Sequence, residues 1–222
     1  MTYSGAVKVG GPADVHELQD LMISKVAVGP MDNNAYLLRC RATDQQLLID
    51  AANEPETLRH LIGEDGIGAV VTTHRHGDHW QALQEVVEAT GARTYAGRED
   101  VEGIPVATDV AVADGDTIEF GRITLTARHL VGHTPGSIAL VYDDPHGHPH
   151  GHPHVFTGDC LFPGGVGNTW KDPEAFASLI DDVETKIFGT LPDETWVYPG
   201  HGGDTTLGAE RPHLQEWRER GW

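Results

Sequence analysis

A chain of 222 residues is long enough to bury a substantial core in one large domain. Its 34 acidic against 15 basic residues leave a formal charge of −19, a field that repels phosphate backbones and anionic lipid surfaces and argues against nucleic acid or membrane as partners. No run approaches the roughly 18 apolar residues of a membrane span, the N-terminal segment has no secretion-signal core, and Cys40 and Cys160 make no disulfide framework, so a cytoplasmic location is expected.

The first elements read as strands. Residues 24–29 (SKVAVG), 34–40 (NAYLLRC) and 46–50 (QLLID) are short apolar runs separated by polar turn signals. Pro55 to Ile62 reads as a helix, and IGAVVTTH as a strand running into His74. After His79, the apolar positions Trp80, Leu83 and Val87 recur at helical spacing until Gly91 ends the pattern. Residues 92–96, 117–120 and 123–127 read as further strands, the last two forming a hairpin that turns at Gly121 and Arg122. Residues 137–143 and 154–159 read as strands flanking the stretch 146–154, HGHPHGHPH. Its Gly and Pro mark it as a connector that no strand or helix can use, and its twofold HGHP repeat is what a tolerated loop insertion looks like. Asp172 followed by Pro173 is a good helix start, and Phe176, Leu179, Ile180, Val183 and Ile187 then form an apolar stripe suited to core packing. TWVYPGH (195–201) reads as a last strand delivering His201, and a short helix at about 208–220 closes the chain.

No linker or composition break divides this series, so a single domain over residues 1–222 is expected. Strands outnumber helices without strict alternation, which fits two sheets covered by helices better than one doubly wound sheet.

The segment 74–79, HRHGDH, has the pattern HxHxDH where a strand gives way to a helix. Two histidines two residues apart in an extended segment point the same way and can share one ion. His133 in HTPGS, Asp159 in TGDC and His201 in PGHG each have a glycine within two residues, which leaves room for close backbone approach. Five imidazoles and two carboxylates suit two borderline ions, with zinc the expected identity and iron or manganese also suitable.

The ordered set HRHGDH, His133, Asp159 and His201 resembles the metallo-β-lactamase-fold hydrolases from about residue 24 to 202. The resemblance implies an α/β, four-layer αβ/βα sandwich with metals at one edge of the two sheets. It implies that His74, His76 and His133 hold a first divalent ion, that Asp78, His79 and His201 hold a second, and that Asp159 bridges them. Asp50 matches the upstream aspartate of the family and would orient a ligand histidine; a turn-forming role at a strand end fits it as well. HTPGS, GDCLFPGGVG and PGHG are most similar to glyoxalase II, which hydrolyses thioesters of a low-molecular-weight thiol. The chain ends 21 residues after His201, like the short, single-domain, hydroxyacylglutathione hydrolase-like members.

This resemblance implies a zinc-type dinuclear hydrolase acting on a small acyl-thiol through a metal-bridging hydroxide, with Asp78 and Asp159 as catalytic carboxylates. The loop residues Asn168, Trp170 and Lys171 are candidates for substrate contact, and an ordinary surface loop explains them equally. Three alternatives stay open at this point: a one-iron persulfide dioxygenase, a lactonase or other ester hydrolase, and a metal buffer working through HGHPHGHPH.

Overall fold

The computed structural model describes residues 3–146 and 152–221. Seven strands form the first sheet in chain order: β1 (Asp14–Glu17), β2 (Leu21–Val28), β3 (Asn33–Cys40), β4 (Gln46–Ile49), β5 (Ala69–Thr72), β6 (Arg93–Gly97) and β7 (Val110–Val112). β1 to β4 pair antiparallel, and β4 to β7 pair parallel. The helix α1 (Pro55–Ile62) makes the crossover from β4 to β5, and α2 (Leu83–Thr90) makes that from β5 to β6.

The second sheet contains β8 (Thr117–Phe120), β9 (Ile123–His129), β10 (Ile138–Asp144) and β11 (His152–Gly158). The ribbon β12 (Leu161–Phe162) and β13 (Gly165–Val166) and the helix α3 (Pro173–Asp182) lead from β11 to β14 (Trp196–Pro199) and β15 (Thr205–Thr206). The sheet order is β15-β14-β11-β10-β9-β8, with β11 and β14 parallel. The tail is helical from Leu207 to Arg220, as α4 (Leu207–Glu210), a 3₁₀ turn containing Pro212, and α5 (Leu214–Arg220).

Alternation along the strands decides which layer each residue enters. Ile23, Tyr36, Leu38, Leu125, Leu140, Phe156 and Tyr198 fill the space between the sheets. On the outer face of the first sheet, Leu58, Ile62, Leu83 and Val86 of α1 and α2 cover Val26, Leu37, Leu48 and Val70. On the outer face of the second, the predicted stripe Phe176, Leu179, Ile180, Val183 and Ile187 covers Ala139, Val141, Val155 and Val197. Fully burying each such side chain contributes roughly 1.5–3 kcal/mol, so these faces fix the layering. The α3 helix starts as read, with the Asp172 carboxylate accepting the Glu174 and Ala175 N–H groups.

The stretch HGHPHGHPH is not wholly a connector. Gly147 to Gly151 lie outside the described residues, but His152, Pro153 and His154 belong to β11, paired with Asp144, Asp143 and Tyr142. His154 points into the layer between the sheets and is fully buried. Composition marks this segment as a turn, but pairing with β10 and contact with Tyr198 extend the strand through Pro153, near its start, where a missing N–H is tolerated.

The Tyr198 hydroxyl lies 2.9 Å from His154 Nδ1 and 2.8 Å from His16 Nδ1. The hydroxyl has one proton to give, so at most one of these rings accepts from it, and a ring that accepts must be neutral at Nδ1. Burial, with His152 and His16 adding to it, pushes His154 from an ordinary 6.5 down to about 3. A depressed histidine pKa stabilises the fold above the unfolded value and withdraws that contribution as pH falls. Metal-free protein should therefore lose up to about 1.4 kcal/mol per pH unit from this group as pH falls below 6.5 toward 3. Urea denaturation at pH 7.5 and 5 should show a smaller drop for His154→Gln than for the wild type.

Candidate metal centre

The parallel strands β4, β5, β11 and β14 end at the same edge of the sandwich, where Asp50, His74, Asp159 and His201 follow them. His133 joins from the connection between β9 and β10, and a 3₁₀ turn at Gly77–His79 folds Asp78 and His79 back beside His74. Three triads have ligand atoms within 4.8 Å of one another: His74, His76 and His133; His74, His79 and Asp159; and Asp78, His79 and His201. The seven residues singled out in the sequence thus come together in one cluster.

Four of the five imidazoles have a partner at their other nitrogen. His133 Nδ1 donates to the Asn168 carbonyl at 2.8 Å, and His201 Nδ1 to the Met31 carbonyl at 2.9 Å. The Thr73 hydroxyl lies 3.1 Å from His74 Nδ1. His79 Nδ1 donates to Asp50 Oδ2 at 2.8 Å. Asp50, at φ 59°, also accepts the Thr73 N–H and hydroxyl at 2.7 and 2.8 Å, which locks its carboxylate. These contacts leave Nε2 of His74, His79, His133 and His201 facing inward, while His76 presents Nδ1, 2.9 Å from His133 Nε2. The Asp159 carboxylate lies between the outer triads, 3.4 Å from His79 Nε2, 3.5 Å from His201 Nε2 and 3.7 Å from His133 Nε2.

The two halves differ in charge. Burial and neighbouring imidazoles push His74 well below its ordinary range and lower His76, and burial lowers His133, which disfavours charge on this side. Burial opposes charge on His79 as well, but Asp50 and Asp159 outweigh it and hold this group up at about 10. Hydrogen bonds to Asp159 and Asp78 likewise outweigh burial and hold His201 up at about 10. The His201 contact holds Asp78 below the usual carboxylate range; Asp159 is also held well down, because its contacts with His201 and His79 outweigh burial.

Metal ions fit this donor set. His79 Nε2 and Asp159 Oδ1 are buried without a hydrogen-bond partner, a costly state that a shared cation relieves. Glycine keeps the floor of the site open, since a methyl on Gly200 would collide with Asp159 Oδ1 and stand 2.9 Å from His79 Cε1. Gly200→Ala should weaken ion binding by at least about 10-fold, read as bound metal after dialysis against graded chelator. The carboxylates that hold His79 and His201 up at about 10 favour protonated rings, so filling their side of the centre should release protons. Calorimetry at pH 7 in buffers of different ionisation enthalpy should show that release, with affinity rising as pH rises.

The three loop residues Asn168, Trp170 and Lys171 have different surroundings. Trp170, 60% exposed at φ 53°, stacks on His133 with ring centroids 5.4 Å apart and meets His76 at 5.2 Å. With Arg75, His76, His133 and Thr134 it lines a cavity of about 600 Å³. Asn168 acts locally instead: its side chain accepts the Trp170 N–H at 2.7 Å, and its carbonyl orients His133. Lys171 is exposed and does not line the cavity. Cys160 is buried behind Asp159, and burial pushes its thiol upward, which suits packing rather than nucleophilic attack.

Sequence reasoning missed Asn33. Its Nδ2 donates to Asp78 Oδ2 at 2.8 Å and lies 3.3 Å from His201 Nε2. No spacing rule connects position 33 with 78 and 201, and only pairing across the sheets brings them together.

The profile of the metallo-beta-lactamase superfamily matches residues 28–201. The chain belongs to this superfamily. A hydroxyacylglutathione hydrolase of Fuscovulum blasticum is 33% identical over 173 residues, 77% of this chain and 62% of the relative. A probable metallo-hydrolase of Bacillus subtilis is 30% identical over 206 residues, 84% of this chain and 93% of the relative. Among solved structures, TTHA1623 in a di-iron-bound form is 33% identical with a TM-score of 0.67, covering 84% of this chain and 96% of that one. The four layers are those of the metallo-β-lactamase fold, and these relatives support a metal-dependent hydrolase. The His/Asp cluster suits a dinuclear site, and the metal's identity is not fixed by it. No helix among the described residues is long and apolar enough to cross a membrane.

Proposed function

We propose that this superfamily member hydrolyses thioesters of a low-molecular-weight thiol, with two divalent ions, zinc first among them, held by the His/Asp centre. The observation that carries the reading is Asp159: one carboxylate faces His133 on one side and His79 and His201 on the other, so two ions can share it. The kinship with a hydroxyacylglutathione hydrolase points to the acyl-thiol. His74, His76 and His133 would hold one ion and Asp78, His79 and His201 the other. When bound, such a pair lowers the pKa of a water from about 16 toward 7 and stabilises charge on the carbonyl oxygen and leaving thiolate.

The chain's own groups do the remaining work. Asp50 keeps His79 in one tautomer, and the Asn168 and Met31 carbonyls do the same for His133 and His201. Asp78, 18% exposed at its side chain, stands at the open side of the centre, where it can relay the proton released by the attacking water to the departing thiolate. The face of Trp170 beside His133 and His76 offers an apolar platform for the substrate. The charge of −19 favours a small-molecule substrate over nucleic acid, and a cytoplasmic, single-domain enzyme matches the chain's composition.

Purified, metal-loaded protein should release thiol, detected colorimetrically, from a panel of acylated thiols that includes lactoyl esters of several carriers. Asp78→Asn should lower kcat/KM by roughly 100-fold or more. Absence of thiol release across the panel would overturn the reading. Cleavage of lactones alone would make the enzyme an ester hydrolase, and one iron per chain with oxygen uptake on a persulfide would make it an oxygenase.

A further inference from the structure

The hairpin of β2 and β3 braces one half of the metal centre and leaves the other alone. Asn33 is 1% exposed, and its amide reaches both Asp78 and His201. Its backbone forms an isolated bridge with His201, and the Met31 carbonyl takes the His201 Nδ1 hydrogen. Asn34, also 1% exposed, donates its side chain to the Pro199 and Gly202 carbonyls at 2.9 Å each and its backbone N–H to the Gly200 carbonyl at 2.7 Å. Buried Lys25 holds the Gly202 carbonyl at 2.8 Å and Asp204 at 2.6 Å.

The triad His74, His76 and His133 is anchored elsewhere. Thr73 and the Asn168 carbonyl orient two of its rings. Asp100 ties the neighbouring backbone, accepting the Arg75 and Gly136 N–H groups at 2.9 Å each. No hydrogen bond from Asn33 reaches this triad among the described residues.

We infer that Asn33 is a positioning residue for the second ion, through Asp78 and His201, and so sets whether the centre holds one ion or two. Asp78 has one fixed neutral donor, which restrains its carboxylate while leaving its negative charge available to a cation. A lysine or arginine at position 33 would fix the carboxylate equally well, but its charge would repel the ion.

Stepwise calorimetric titration of metal-free protein with Zn²⁺, paired with native mass spectrometry, tests this on Asn33→Ala and the volume-preserving Asn33→Leu. Wild type should take up two ions. Both variants should bind the first with affinity within about threefold of wild type, which also shows that they fold, and the second about 10–100-fold more weakly. Equal weakening of both steps, no change in either, loss of the first ion, or a wild type that binds only one ion would each overturn the inference. The inference rests on the ligand sets given above but not on the substrate. A wild type that binds two ions and cleaves no thioester sinks the proposed activity and leaves the role of Asn33 intact.

Discussion

A buried carboxylate surrounded by imidazoles is the constraint from which the rest of this molecule follows. Asp159 Oδ1 and His79 Nε2 are both buried and have no hydrogen-bond partner. They lie 3.4 Å apart without a hydrogen bond between them, and a cation placed between them satisfies both. Their surroundings are shaped to that end: glycine at 200 leaves space beside the carboxylate, and the rings of His79, His133 and His201 are held from behind by acceptors. The sandwich supplies the rigidity, since parallel strands in both sheets end at this edge and fix where the ligands start.

The two halves of the centre are electrostatically unlike, and that difference follows from their supports. The neutral half draws on β5 and the β9–β10 connection, where buried imidazoles lie close together. The charged half faces three aspartates, Asp50, Asp78 and Asp159, and depends on contacts from the β2–β3 hairpin. A second polar cluster, around Tyr198, has a different character. There two rings share one hydroxyl, which ties strands of both sheets across the layer between them.

Much of the fold was legible because its signals are local. α1 runs from Pro55 to Ile62 as read, the hairpin turns at Gly121 and Arg122, and the α3 stripe covers the second sheet. The strands β1, β7 and β15 were not foreseen: they are two to four residues long, and pairing at sheet edges, not alternation, makes them strands. His152 and Pro153, ahead of the strand read from 154, went the same way, because Pro and Gly composition describes what a segment prefers alone and not the partner strand that overrides it.

The sequence by itself determined the ligand inventory and its superfamily, because HRHGDH puts four metal-binding side chains within six residues, and His133, Asp159 and His201 each follow a recognisable strand or turn signal. Only the tertiary structure decided which ligands share an ion, that Asp159 stands between the two sets, that Asn33 touches Asp78 and His201, and that Trp170 stacks on His133. The physical reason is separation along the chain. Residues within one turn or strand report on one another through backbone periodicity, whereas contacts between positions 33, 78, 159 and 201 exist only once the cores of both sheets have closed.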